Sequence, residues 1–220
     1  GEDDCREQGI TEEVSFEQMR AMYQAMKDAD ARYDEKLKSE SGLVGTEGKK
    51  MMEARAEGTL ICGDFIGKVM EKALKTSESN ACMKRIVAAP TAGSCGVVPA
   101  VFLSLQEEKG YSEEKMVEAL FVAAGIGGVI AERAFLAGAA GGCQAEIGAA
   151  SCMAAAGVVQ LLGGTVEGST GSEIRFTCQP AGTIGEDQSR CGIILVRYHN
   201  LSCYHHIFCL LYTSDAADEL

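Results

Sequence analysis

The chain predicts an all-α fold, and three observations carry that expectation. Apolar residues recur at three- and four-residue spacing from Met19 to Leu37 and again from Phe65 to Leu74, the period of one helix face. Alternating β-branched residues are scarce before Thr165, which leaves little to build a half-buried strand. Between Ala119 and Leu162 lie two long stretches rich in Ala and Gly; such small side chains let helix backbones approach closely, as a compact helical core needs.

Residues 1–14 read as an N-terminal segment, and the domain itself as 15–165. "SFEQ" has the form of a capping box, so a helix is expected to start at Ser15 with Gln18 reaching back to the cap. Its apolar face runs through Met19, Met22, Tyr23, Met26, Tyr33 and Leu37, and "SGLVGTEG" (41–48) breaks it with three glycines. A second helix is expected from Asp64 to about Lys75. Pro90 to Gly96 then reads as a tight loop, because a proline pushes its predecessor out of the helical region and Gly93 and Gly96 open conformations closed to other residues. A helix from Val97 to Glu108 follows, with Pro99 tolerated in its first turn and Gly110 as its stop. Ser112 caps the next helix, with Glu113 and Glu114 in the first turn. That helix is apolar all round from Ala119 to Ala131, as is the stretch from Glu146 to Leu162, so both are expected to be buried. After Gly164 no helical period persists, and 166–220 reads as a separate, irregular tail carrying His199, His205 and His206 with four cysteines. The cluster Cys203, His205, His206 and Cys209 fits no zinc template.

At 220 residues and 46% hydrophobic content the chain can bury a real core. A net charge of −12, from 32 acidic against 20 basic residues, argues against nucleic-acid and anionic-membrane partners, which select Lys and Arg. The longest uncharged apolar run, Ile147 to Thr165, is made mostly of Ala and Gly and contains Gln160, so no membrane span is expected. Ten cysteines with irregular spacing, no C-x-x-C and no apolar leader in "GEDDCREQG" point to a reducing, cytoplasmic setting. The loop at 90–96 feeding a helix N-terminus offers amides and a positive dipole end, suited to an anionic group such as a carboxylate; the same spacing equally describes a plain helix connection.

Three stretches, "SGLVGTEGKK" (41–50), "AAPTAGSCGVVPAVF" (88–102) and "AGAAGGCQAEIGAASCMAAAGVVQLLGGT" (137–165), together resemble the alpha subunit, or C-terminal domain, of the iron–sulfur-dependent L-serine dehydratases of bacteria. The likeness runs from about Ser15 to Thr165. It implies a compact helical domain, a 4Fe–4S cluster, deamination of L-serine to pyruvate and ammonia, a beta subunit as partner and an oligomeric enzyme. Water elimination needs α-proton removal and departure of the β-hydroxyl, which an open iron site assists as a Lewis acid. By that resemblance Cys143 of "GGCQAE" is a cluster ligand, where composition alone reads it as a small buried thiol. Thr91, Ala92, Gly93 and Ser94 match the family's substrate loop, Asn80 matches a family asparagine, and Lys50 matches a lysine of the pattern "GLxGGDxxK" whose Gly-Gly-Asp is here Gly45-Thr46-Glu47. Lys50 and Glu146 are the candidate catalytic side chains. Glu146 is also read as a ligand-orienting or structural group.

The likeness has a gap. The family supplies its two further cluster cysteines about forty residues downstream, and the equivalent positions here are Gly185 and Val196; Cys178 and Cys191 have neither the spacing nor the surroundings. The closing "CLLYTSDAADEL" resembles translated sequencing-adaptor DNA. The expectation is thus an incomplete alpha-type domain followed by an unrelated tail, inactive as written. An L-cysteine desulfidase-like enzyme and a cluster-less helical protein are the alternatives.

Overall fold

The computed structural model describes residues 5, 6, 9–164, 196, 197, 206 and 207. Within them the domain is helical, as the sequence predicts. Its helices are α1 (Glu12–Ala31), α2 (Glu47–Ala56), α3 (Gly63–Ala81), α4 (Val97–Lys109), α5 (Glu113–Arg133), the single turn α6 (Gly138–Gly141) and α7 (Cys143–Leu161). The tail at 166–220 lies outside the described residues except for two strands of two residues each, β1 (Val196–Arg197) and β2 (His206–Ile207). They pair antiparallel, with Val196 opposite Ile207 and Arg197 opposite His206.

Helix α4 is the axis of the domain. Every residue from Val97 to Leu105 is buried, and α1, α3 and α7 pack around it. Phe102, Val98, Val101, Met116, Val117 and Ala150 form the centre of one continuous core. Truncating a buried aromatic such as Phe102 costs about 3–5 kcal/mol. α7 reaches α4 because Gly157 carries no side chain: a Cβ there would lie 2.2 Å from the Phe102 ring. The tyrosine of α1 closes the far end. Tyr23 donates its hydroxyl to Gln106 Oε1 at 2.6 Å, and Gln106 Nε2 donates to the Tyr111 carbonyl at 3.2 Å, tying α1 and α4 to the start of α5.

Several boundaries differ from expectation for local reasons. α1 begins before Ser15, because Thr11 is the cap, its hydroxyl accepting from Val14 N at 3.3 Å, with Glu12 and Glu13 in the dipole-favourable first turn. Ser15 then lies inside the helix, its amide bonded to the Thr11 carbonyl. α2 has no counterpart in the hydrophobic pattern. α3 runs past Lys75 to Ala81 although its last turns are polar, since Thr76 and Ser79 turn their hydroxyls back onto the carbonyls of Lys72 and Lys75 at 2.9 and 2.8 Å. The stops at Gly110, which is left-handed at φ 66°, and the cap at Ser112 are where the sequence puts them. Of the two helices expected to be buried all round, α7 is buried along most of its interior, with Gly148 and Cys152 half-buried, but α5 is not: beyond Ala123 only Gly127 is buried, and Val129 is 51% exposed. The physical reason is that α1 and α7 cover one side of α5, and no described element lies on the other. No described helix is long and apolar enough to cross a membrane.

Candidate active site

The loop between α3 and α4 and the first turn of α7 meet at one carboxylate. Glu146 is 7% exposed. Thr91 Oγ1 donates to Glu146 Oε1 in a short hydrogen bond across 55 residues of sequence. Ser94 Oγ sits 2.9 Å from Thr91 Oγ1 and also receives the Thr91 amide at 3.4 Å, so the two hydroxyls form a chain ending on Glu146. Ser94 itself is fully buried. The loop is shaped by backbone bonds from Cys95 N to the Ala92 carbonyl and from Val97 N to the Ser94 carbonyl. Among the described residues the amides of Ala92 and Ser94 donate to no backbone carbonyl.

Two glycines make room for the carboxylate. A Cβ on Gly93 would lie 2.6 and 2.7 Å from the two Glu146 oxygens, and a Cβ on Gly138 would lie 2.7 Å from Oε2. Only a residue without a side chain tolerates such approach. Gly142, at φ 82°, ends α6 and opens α7 in one step, which sets Glu146 in the helix's first turn, where the dipole favours a negative group. Among the described residues no Lys or Arg pairs with it; its direct partner is the Thr91 hydroxyl. Burial, with a smaller contribution from the Glu146 charge, pushes the neighbouring Cys95 thiol up to about 12. Cys95 is therefore an inert packing thiol.

The other candidates fall into two sets. Cys143 lies three residues before Glu146, at the start of α7 and on the same side of the helix, half-buried. Asn80, in the last turn of α3, donates its side-chain amide to the Ala92 carbonyl at 3.2 Å and so braces the loop from behind. Thr91, Ala92, Gly93, Ser94, Asn80 and Glu146 thus belong to one constellation. Lys50 is not joined to it. It stands on α2, 71% exposed, with its ammonium 3.7 Å from Glu47. Gly138 is the participant that the residue-by-residue reading missed; its signal was the glycine run just before Cys143.

A 4Fe–4S cluster needs three or four protein donors. Among the described residues no group of three His, Cys, Asp or Glu side chains is placed to hold a metal, and all six described cysteines are thiols outside disulfides. Cys178, Cys191, Cys203 and Cys209 lie outside the described residues. What is described offers Cys143 as a single donor and does not complete a cluster site.

Residues 2–172 match the family model described as serine dehydratase alpha chain. The chain belongs to that family. It is 42% identical over 159 residues to the "Probable L-serine dehydratase, alpha chain" of Bacillus subtilis, a match covering 72% of this chain and 53% of that protein. It is 46% identical over 129 residues to the "L-serine dehydratase, alpha chain" of Peptoniphilus asaccharolyticus, covering 59% and 44%. It is 39% identical over 127 residues to "L-serine dehydratase 1" of Escherichia coli, covering 54% and 28%. The chain therefore spans about half the length, or less, of these serine dehydratases. The motif likeness at 88–102 and 137–165 and the family match agree, and both strands of that likeness meet at Glu146.

Proposed function

We propose that this chain is the catalytic alpha-type domain of an L-serine dehydratase that acts together with a beta subunit in the cytoplasm. The observation that carries the reading is a buried carboxylate, Glu146, with a hydroxyl partner, two glycines cleared around it and no Lys or Arg partner among the described residues. A carboxylate so placed, beside the loop read as the substrate loop, is the candidate proton acceptor.

L-serine binds with its carboxylate on the Thr91–Ser94 loop, accepting from the amides of Ala92 and Ser94 and from a loop hydroxyl. Asn80 holds the loop's shape by fixing the Ala92 carbonyl. Glu146 accepts the α-proton, the Cα–H bonding electrons form the Cα=Cβ bond, and the β-hydroxyl leaves as water by taking up that proton from Glu146, which returns to the carboxylate. The resulting aminoacrylate tautomerises to an imine, which water hydrolyses to pyruvate and ammonia. A positioned proton acceptor contributes about 10²–10⁴ in rate. On this reading Cys143 is one thiolate of a 4Fe–4S cluster, and because the positions equivalent to the family's two further cysteines are Gly185 and Val196, the chain as written does not complete that cluster by itself. Lys50 takes no part in the proton transfer.

The test is pyruvate formation from L-serine by the full-length protein with its beta subunit, reconstituted anaerobically with iron and sulfide, alongside sulfide release from L-cysteine. Serine turnover that disappears in Glu146→Gln supports the reading. Sulfide from cysteine without pyruvate from serine moves the substrate to cysteine, and neither product removes the catalytic reading altogether.

A further inference from the structure

The loop that would receive a substrate carboxylate already holds one from the chain itself. Glu146 reaches from α7 onto the Thr91–Ser94 loop, takes the Thr91 hydroxyl and places both oxygens on the open face of Gly93, 2.6 and 2.7 Å from where a Cβ would be. That face is the approach a backbone loop offers to an anion, with hydroxyls on one side and no side chain in the way. Among the described residues the carboxylate has no Lys or Arg partner. Elsewhere among the described residues two enclosed carboxylates are gripped by cations, while Glu78 is held by the Tyr33 hydroxyl and the Gly48 amide. Glu71 receives Arg55 at 2.7 Å, and Asp30 receives Lys72 and Lys75 at 2.9 Å each.

We propose that Glu146 is an internal stand-in for the substrate carboxylate, occupying the Thr91–Gly93 cradle until the substrate displaces it. The inference rests on the reading of Thr91–Ser94 as the substrate loop. Two carboxylates cannot share the Thr91 hydroxyl in a buried site without strong mutual repulsion. Substrate binding therefore turns Glu146 out of the cradle, and the displaced group, still held in the first turn of α7, is left beside the substrate's Cα as a proton acceptor. The exchange couples binding to activation of the base, and it makes a definite demand: the wild-type site binds a carboxylate less tightly than a site from which Glu146 has been removed.

That demand is opposite to what removal of an ordinary binding residue does, and it is read without turnover. Titration calorimetry of the full-length protein with glycine, which lacks a β-hydroxyl to eliminate, and with L-serine compares wild type, Glu146→Ala, Glu146→Gln and Thr91→Val. Glu146→Ala is expected to bind glycine about tenfold tighter than wild type, the loss of one competing charge-assisted hydrogen bond. Glu146→Gln, which fills the same space without charge, is expected to gain severalfold, and it carries the test should the alanine variant lose its helical circular dichroism. Thr91→Val is expected to weaken binding in every background. Glycine bound equally or less tightly by both Glu146 variants, with wild-type binding intact, overturns the stand-in role and leaves the substrate-loop reading in place. No binding of either amino acid by any variant overturns both.

Discussion

Two parts of this molecule bury carboxylates, and they treat them in opposite ways. Between α1, α2 and α3 two of three acids are enclosed by cations: Asp30 by Lys72 and Lys75, Glu71 by Arg55 and, at 3.9 Å, by Lys75, with Lys72 held in addition by Glu107 at 2.8 Å. Glu78 is bonded by the Tyr33 hydroxyl at 2.5 Å and the Gly48 amide at 2.9 Å. Between the α3–α4 loop and α7, Glu146 has one hydroxyl and a helix dipole. Ion pairs such as these fix helices to one another, whereas a buried carboxylate held by a hydroxyl at the first turn of a helix has room to exchange partners. The difference separates an ion-pair network from the proposed reactive site inside a single small domain.

The largest way to break the comparison is Glu146→Gln. In the reconstituted full-length enzyme kcat is expected to fall at least 100-fold, with KM for L-serine not raised and the thermal midpoint moved little, because glutamine preserves the shape and can still accept from Thr91. A melting midpoint lowered by many degrees with kcat retained would place Glu146 among the structural acids instead.

Asp30→Ala is the matching operation on the network. It leaves Lys72 and Lys75 buried with one acid fewer, and removing one partner of a buried pair costs about 3 kcal/mol. Urea unfolding should show that loss, while turnover per folded molecule stays near wild type. The same pair has a pH signature. Burial would raise the Asp30 carboxyl, but hydrogen bonds from Lys72 and Lys75 outweigh it and hold the group below its ordinary value of 3.8. A depressed carboxyl stabilises the fold fully above its unfolded value, and the contribution is lost as pH falls through the lower folded one. Acid unfolding below about pH 4 should therefore be less steep in Asp30→Asn than in wild type.

How much of this was readable beforehand follows the same division. The loop, the caps at Gly110 and Ser112 and the likeness around Cys143 and Thr91 are local patterns, and they stand in the sequence as glycines, prolines and short motifs. The family likeness, rather than periodicity, pointed to Glu146 and Thr91, which are 55 residues apart and meet only through the packing of α7 on α4. The ion network was illegible because it joins Arg55, Glu71, Asp30 and Lys72 from three helices, and charged residues in a helical pattern read as a solvated face. The last turns of α3 were missed for a related reason: Thr76, Glu78 and Ser79 are polar yet buried, each satisfied by a partner that spacing does not reveal. Exposure of the outer half of α5 could not be read from an apolar sequence, since burial depends on what else covers the helix.

Gly93→Ala tests the site from the loop side and should have a smaller effect. The added methyl meets the Glu146 carboxylate at 2.6–2.8 Å, so the carboxylate must shift by a few tenths of an ångström or more. A displacement of that size in a catalytic group costs about tenfold in kcat/KM, with stability lowered by about 1 kcal/mol or less, since the moving atom is the end of a flexible side chain. If Gly93→Ala instead leaves kcat/KM at the wild-type value, the close approach has no part in catalysis.

Lys50→Ala is the smallest effect and sharpens the comparison most narrowly, because sequence likeness and geometry assign that residue to different regions. Its side chain is 71% exposed and pairs with Glu47 three residues earlier at 3.7 Å, and exposed pairs of this kind contribute about 0.3–0.5 kcal/mol. The expected outcome is a stability change within that range and a kcat within threefold of wild type, measured on the same preparation used for Glu146→Gln. A loss of 100-fold or more in kcat, with the thermal midpoint unchanged, would carry Lys50 across from the network to the reacting centre. It would also mean that α2 closes over the α3–α4 loop during turnover, since Lys50 has no bond to that cluster in the structure.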